Sequence, residues 1–275
     1  MRKDSWIAFL FRVVAYLVFL SVVLLFAMFF IDGARYFSWE FFSQVPRQGM
    51  EQGGILPAIL GTLIILLFSL LLAIPVGILT GVYLSEYAGH SKLGTFLNVS
   101  ITALGGVPSI VFGLFGLSLF CITMGLGTSI LAGSLTLSLM TLPVISSAVK
   151  EALAAVPVAL RESGYALGAR KTEVIFRILL PFSRARIITA CLIGGGRVMG
   201  ETAPVLLTGA VFYATQYPSG LGDPVMTLPS HIYYITMAYG KDAQWMAKGT
   251  SAFLLLLVLA IYLVAFRFRR KNHAR

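Results

Sequence analysis

Residues 55–85 read ILPAILGTLIILLFSLLLAIPVGILTGVYLS and contain no Asp, Glu, Lys or Arg. A helix needs roughly 20 apolar residues to cross the hydrocarbon core of a bilayer, so this stretch is long enough for one membrane span. Three more runs lack charged residues in the same way, at 13–31, 93–149 and 249–266. Of the 275 residues, 58% are hydrophobic and 12% are charged, whereas a soluble domain has about 25% charged residues. The sequence therefore predicts an all-α membrane protein.

The longest charge-free run, 93–149, is too long for a single membrane-spanning helix. Gly125 and Gly127 lie near its middle and indicate a turn, because glycine adopts the backbone conformations that tight turns need. We therefore expect two helices in this run, at about 97–121 and 127–149.

One further apolar segment, 187–209, differs from the others because it contains two charged residues, Arg197 and Glu201. Counting it gives six predicted transmembrane helices. The first of them, 13–31, is longer than the apolar region of a signal peptide, and no small-residue cleavage site follows it. We expect it to be an uncleaved membrane anchor.

The basic residues indicate how the six helices are oriented. If the amino terminus is cytoplasmic, sixteen of the 21 Lys and Arg residues fall in cytoplasmic segments, four fall outside and one lies within a span. Cytoplasmic loops carry the excess of Lys and Arg in membrane proteins, so both termini are predicted to be cytoplasmic. The carboxyl-terminal residues 267–275 then form a basic cytoplasmic tail at the lipid headgroups. Because the basic residues form no single stripe, we expect no nucleic-acid partner.

Residues 150–186 form the only large cytoplasmic loop of this topology, and we interpret them as two short helices separated by a glycine turn. Six residues of this segment, named below, have a spacing that resembles the EAA loop of ABC-importer permeases. That motif reads E-A-A, then any three residues, G, any nine residues, and I-x-L-P. Small residues replace the two alanines here. In that family the loop docks onto a cytoplasmic ATPase, which implies ATPase coupling for Glu162, Gly164, Gly168, Ile178, Leu180 and Pro181. The glycines would let another backbone approach closely.

Two other blocks of the sequence indicate which group of ABC-importer permeases the chain resembles. Residues 106–114 read GVPSIVFGL and residues 196–204 read GRVMGETAP. Both are similar to the permeases of high-affinity phosphate ABC importers, and among these to the A-type subunit. The similarity covers roughly residues 55–266. It implies a type I ABC importer permease fold and a phosphate transport function in the bacterial inner membrane.

The resemblance also implies the partners and the division of the chain. We expect a second related permease, two cytoplasmic ATPase subunits and an extracytoplasmic phosphate-binding protein. ATP would be bound by the ATPase, so this chain would need no cofactor and no metal, and it would not be an enzyme. The chain then divides into an anchor helix with the first external loop at 1–54, a permease core at 55–266 and the basic tail at 267–275.

Arg197 and Glu201 are the candidate residues of the substrate path. Arg197 lies ten residues past the start of its predicted span, about 15 Å deep, where a charge costs about 2.5–3.5 kcal/mol on insertion scales. Glu201 is four residues farther along and within reach of an ion pair. Two interpretations stay open: the pair neutralises itself among buried helices, or it lines the path and Arg197 binds phosphate oxygens.

A second candidate element is the bend around Gly106, Pro108 and Gly113, which either opens and closes as a gate or forms a static packing kink. Other functions compete with phosphate import. A permease for another oxyanion, such as molybdate or sulfate, has the same features. A membrane-embedded enzyme would need a cluster of catalytic or metal-binding side chains, which the sequence does not contain, and a passive channel would not explain the EAA spacing.

Overall fold

The computed structural model describes residues 2–89, 91–214, 217–238 and 243–273. These residues form helices and loops, with two isolated β-bridges, so the predicted all-α fold is confirmed. The helices are α1 (Arg2–Ala34), α2 (Trp39–Ser43), α3 (Leu56–Val82), α4 (Lys92–Gly105), α5 (Ser109–Gly116), α6 (Ile130–Ala154), α7 (Val158–Ala166), α8 (Lys171–Val174), α9 (Leu180–Gly200), α10 (Ala203–Thr208), α11 (Leu228–Ala238) and α12 (Gln244–His273).

Six segments of the described chain have the length and apolar character of membrane spans. Five are single helices: Trp6–Ala34, Leu56–Tyr87, Ile130–Ala154, Lys171–Gly200 and Gln244–Arg269. The sixth is the pair α4 and α5, whose axes differ by 106°. The predicted number of six spans is therefore confirmed when this bent pair counts as one. Residues 274 and 275 of the predicted basic tail lie outside the described residues.

The helix α6 forms the centre of the molecule, with 67% of its apolar window buried. It packs against α3 at two glycines: an added Cβ on Gly77 would lie 2.8 Å from Ile145 Cγ2, and one on Gly81 would lie 2.6 Å from Val149 Cβ. Such close approach of helix backbones is typical of membrane proteins, where packing replaces the hydrophobic effect between helices. The opposite case is α1, none of whose apolar window is buried within this chain.

The predicted single helix over 97–121 is wrong. The chain turns between Gly105 and Ser109, and the two helices on either side are bent far more sharply than a proline kink. Pro108 has φ −58° and ψ 142° and occupies the N-cap of α5 rather than a helix interior. Because proline lacks an N–H and fixes φ, it begins a helix more readily than it continues one. The turn predicted at Gly125 and Gly127 is present, and both glycines have positive φ.

The predicted span over 187–209 also needs correction. The helix begins much earlier, because α8 continues into α9 through the π-helical segment Ile175–Leu179 without a break at Pro181. It ends at Gly200, and α10 begins after a break at Glu201 and Thr202. Pro204 lies in the first turn of α10, where its missing N–H is tolerated. The charged pair therefore lies at a helix end and not in the middle of a helix.

Candidate substrate path and coupling loop

Arg197 and Glu201 lie together at the end of α9, as the sequence predicted. Arg197 is in the last helical turn, and Glu201 follows the helix end with an extended backbone at ψ 127°. The Arg197 Nε atom donates to Glu201 Oε1 over 3.4 Å. A cation near a helix carboxyl terminus is also stabilised by the helix dipole.

The two partners differ in exposure. The Arg197 side chain is 38% exposed and that of Glu201 is 15% exposed. The ion pair uses only Nε of Arg197, and within the described part of the chain its two terminal amino groups have no hydrogen-bond partner. The arginine therefore presents free donors on an open side of the molecule, while the carboxylate faces inward.

A cavity about the size of one water molecule adjoins Glu201 on the inner side. Thr62 of α3 and Thr227, which precedes α11, contribute hydroxyl groups to its lining. The Thr62 hydroxyl is already engaged, because it donates to Ala58 O over 2.7 Å and accepts from Leu228 N over 2.8 Å. This cavity is too small for a tetrahedral oxyanion.

The structure brings one residue of the candidate bend to the charged segment and leaves the other two apart. A Cβ added to Gly113 would lie 2.9 Å from both Pro204 Cα and Leu207 Cδ1, so α5 packs tightly on α10. At Gly106 the nearest group is Ala103 O at 3.5 Å, and Pro108 is exposed. The two sequence blocks that suggested a phosphate permease thus meet at Gly113 and Pro204.

The coupling loop (residues 150–186) contains α7 and α8 and leads into α9. Gly164 is buried inside it, since an added Cβ would lie 2.7 Å from Ile178 Cδ1 and 3.1 Å from Val174 Cγ2. This corrects the expectation that a partner's backbone approaches at Gly164, because the glycine instead lets the two halves of the loop pack. Leu180 is half-buried and packs with the same core, whereas Glu162 and Pro181 are exposed.

Gly168 is the loop glycine with open space around it. Its φ of +81° is the left-handed conformation expected after a helix end, and an added Cβ would meet nothing within 4 Å. Large apolar side chains nearby are exposed, with Leu167 at 89%. Exposed apolar side chains of this kind mark surfaces that contact proteins or membranes. The exposed apolar residues of the loop include Val158, Leu167 and Phe176.

Two residues that sequence reasoning missed hold the coupling loop in place. Glu86, at the end of the span that begins with α3, accepts two hydrogen bonds from Arg161 Nη1, to Oε1 over 2.7 Å and to Oε2 over 2.6 Å. A usable signal was present in the sequence: Glu86 is the first charged residue after the run 55–85, and Arg161 directly precedes the EAA motif. Their partnership spans 75 positions and is visible only in the fold.

His231, at the start of α11, is the one fully buried ionisable side chain found among the described residues with both ring nitrogens lacking a hydrogen-bond partner. Burial lowers the pKa of His231 from 6.5 to about 3, because the charged imidazolium loses its hydration. The side chain is therefore neutral at physiological pH. It lies two residues from Pro229, which lines the cavity at Glu201.

Comparison with known proteins agrees with this geometry. The chain matches the family described as "Binding-protein-dependent transport system inner membrane component" over residues 73–275. The "Probable ABC transporter permease protein YqgI" of Bacillus subtilis is 32% identical over 253 residues, covering 88% of this chain and 86% of the relative. The "Probable phosphate transport system permease protein PstA" of Methanocaldococcus jannaschii is 34% identical over 223 residues, covering 81% of this chain and 78% of the relative.

Solved structures show the same architecture. A chain of the inward-facing MetNI methionine ABC transporter superposes with a TM-score of 0.61 at 20% identity, covering 80% of this chain and 94% of that one. An amino acid ABC transporter gives a TM-score of 0.53 at 18% identity. These likenesses concern the fold, and they confirm the predicted ABC importer permease architecture. The chain belongs to the family of binding-protein-dependent transport system inner membrane components.

Proposed function

We propose that this chain is the transmembrane permease subunit of an ATP-driven phosphate importer and forms half of the translocation path. The observation that carries the proposal is the Arg197 side chain, whose terminal amino groups have no partner among the described residues while its Nε contacts Glu201. Relatives named as phosphate transport system permease proteins support phosphate as the substrate.

Arg197 and Glu201 have different roles in this proposal. The planar guanidinium of Arg197 offers two parallel donors that match a pair of phosphate oxygens. Glu201 partly neutralises the arginine and repels an anion, which keeps the site from holding phosphate too tightly. Conduction requires such a balance, because a transported ion must enter the site and also leave it.

The coupling loop is proposed to dock onto a cytoplasmic ATPase. Its exposed apolar side chains, of which Leu167 is the most exposed, are suited to a groove on another protein. Because Gly168 has no side chain, nothing projects from the surface beside them. The docking surface would also include the exposed Glu162, while Gly164 and Ile178 hold the loop together from within.

The complete transporter would contain a second related permease, two ATPase subunits and an extracytoplasmic phosphate-binding protein. ATP would be bound by the ATPase and not by this chain. We place the complex in the bacterial inner membrane with both termini of this chain in the cytoplasm, since the basic residues concentrate there. The bend at Gly106, Pro108 and Gly113 would adjust the path through the contact of α5 with α10.

The experiment is transport by the complete complex reconstituted into vesicles with its binding protein. Phosphate uptake that requires ATP, and that excess molybdate or sulfate does not suppress, is the expected result. Uptake of molybdate or sulfate in place of phosphate would overturn the assigned substrate. Phosphate flux without ATP would overturn the assignment as an ATP-driven importer.

A further inference from the structure

Glu86 is a nearly buried carboxylate at the coupling-loop end of the molecule. Its side chain is 5% exposed and is held by Arg161 Nη1 at both oxygens and by Ser85 Oγ, which donates to Oε1 over 2.8 Å. Charge-assisted bonds of this kind are roughly twice as strong as neutral ones. Glu86 lies in the π-helical turn Tyr83–Tyr87, a local feature that is frequent at functional sites.

The same residues join three elements of the protein. Arg161 belongs to α7 of the coupling loop, and its Nη2 donates to Leu153 O, at the end of α6, over 2.6 Å. The ammonium group of Lys171, the first residue of α8, donates a hydrogen bond to the backbone carbonyl of Glu86 and lies 4.5 Å from the centre of the Tyr87 ring. Both helices of the coupling loop are thus tied to the end of the α3 span.

Two continuous helical segments lead from this junction to the charged pair. One runs from Lys171 through α9 to Arg197, and the other runs back along α3 from Tyr87 to Thr62. At 1.5 Å per residue each covers roughly 38 Å. They meet at the cavity beside Glu201, which Thr62 and Met199 both line.

We propose that Glu86 is a positioning residue for energy coupling: through Arg161 it fixes the coupling loop to α3, so that a displacement of the loop moves α3 together with α9. Without the pair, the loop would still pull α9, which continues directly from α8. The α3 side of the cavity at Glu201 would then follow only through Lys171, and therefore less closely. This inference rests on the proposed function, because it assumes that an ATPase displaces the loop.

A purely structural role predicts something different. Removing one partner of a buried pair leaves the other charge unpaired, which lowers the amount of folded protein. A coupling role predicts that the protein that does fold binds its ATPase and hydrolyses ATP, yet transports less per ATP. The two roles therefore separate when transport is divided by the ATP hydrolysed by the same purified complex.

The test uses the full complex in vesicles with Glu86→Gln, Arg161→Gln, the double variant and Arg161→Lys. We expect phosphate transported per ATP to fall by about tenfold in each glutamine variant, with ATPase association retained. The double variant should be no worse than either single one, because the residues act as a pair. Arg161→Lys keeps the charge and should recover part of the ratio.

Lys92→Gln is the matched control. Lys92 follows Glu86 by six residues at the start of α4, lies outside the coupling loop and is exposed, and the described residues give it no ion-pair partner. It should leave the ratio unchanged. If wild type transports phosphate and the Glu86 and Arg161 variants keep the wild-type ratio, the inference is wrong while the proposed function stands. If the wild-type complex itself moves no phosphate, the proposed function fails instead.

Discussion

Gly113 of α5 and Pro204 of α10 are in such close contact that a Cβ added to the glycine would lie 2.9 Å from the Pro204 Cα atom. Pro204 offers backbone here, which moves less readily than the end of a flexible side chain. The contact joins the segment after the sharp bend to the segment that follows Glu201.

Gly113→Ala should destabilise the protein by about 1–3 kcal/mol, because the added methyl group overpacks this contact. Gly105→Ala is the control: an added Cβ there meets nothing within 4 Å, and alanine is the better helix former. Thermal unfolding of the purified complex measures both. Equal midpoints for the two variants would show that α5 and α10 are not tightly packed.

Gly168→Val should leave membrane abundance near normal and reduce transport sharply. Valine strains the backbone at φ +81° and fills a surface that an ATPase would approach. Gly168→Asn separates these two causes, since asparagine tolerates the left-handed conformation. Normal transport with asparagine would show that valine acts by straining the backbone. Reduced transport with asparagine would show that valine acts by blocking the close approach of the ATPase. Normal transport with valine would argue against docking at this point.

The predicted orientation is tested with single cysteines at Gln52, Lys92, Arg170 and Gln244, which are all exposed, in a variant that lacks Cys121 and Cys191. A membrane-impermeant reagent applied to intact cells should label positions 52 and 244 only. Positions 92 and 170 should react after permeabilisation. External labelling at position 170 would reverse the whole topology.

The buried His231 predicts a pH dependence of stability. Its folded-state pKa of about 3 lies below the ordinary 6.5, so the unfolded chain binds a proton that the folded chain does not. The contribution of His231 to the free energy of unfolding is therefore complete above about pH 6.5. It falls by about 1.4 kcal/mol per pH unit as the pH is lowered from 6.5 toward 3. His231→Leu should remove this slope and be at least as stable at pH 7. Thermal midpoints across this pH range measure the difference, and parallel curves for the two proteins would contradict it.

Much of the fold could be predicted from the sequence, because membrane spans follow from charge-free length. Residues 55–85 and the turn at Gly125 were predicted closely for that reason. The break at Glu201 was not predicted. A bend at Pro108 was predicted, but not that it separates two helices, since a proline within an apolar run is compatible with both a kinked helix and a new helix start. Hydropathy alone does not distinguish these two cases.

The candidate site was predictable only where its residues are close in sequence. Arg197 and Glu201 are four positions apart, so helical geometry placed them together. The pairs Glu86 with Arg161 and Gly113 with Pro204 depend on how distant helices pack. Gly164 was assigned to a partner contact because a glycine in a loop motif does not reveal whether its open side faces inward or outward.

The most direct test of the central claim is phosphate transport by the double variant Arg197→Leu with Glu201→Leu. Removing both charges avoids the cost of leaving one of them unpaired, so the protein should reach the membrane and assemble with its partners. Transport should be lost, because the guanidinium that would bind phosphate is gone. Arg197→Lys, which keeps the charge but loses the planar fork, should transport weakly. A double-leucine complex that imports phosphate at the wild-type rate would contradict the assignment of the pair to the substrate path.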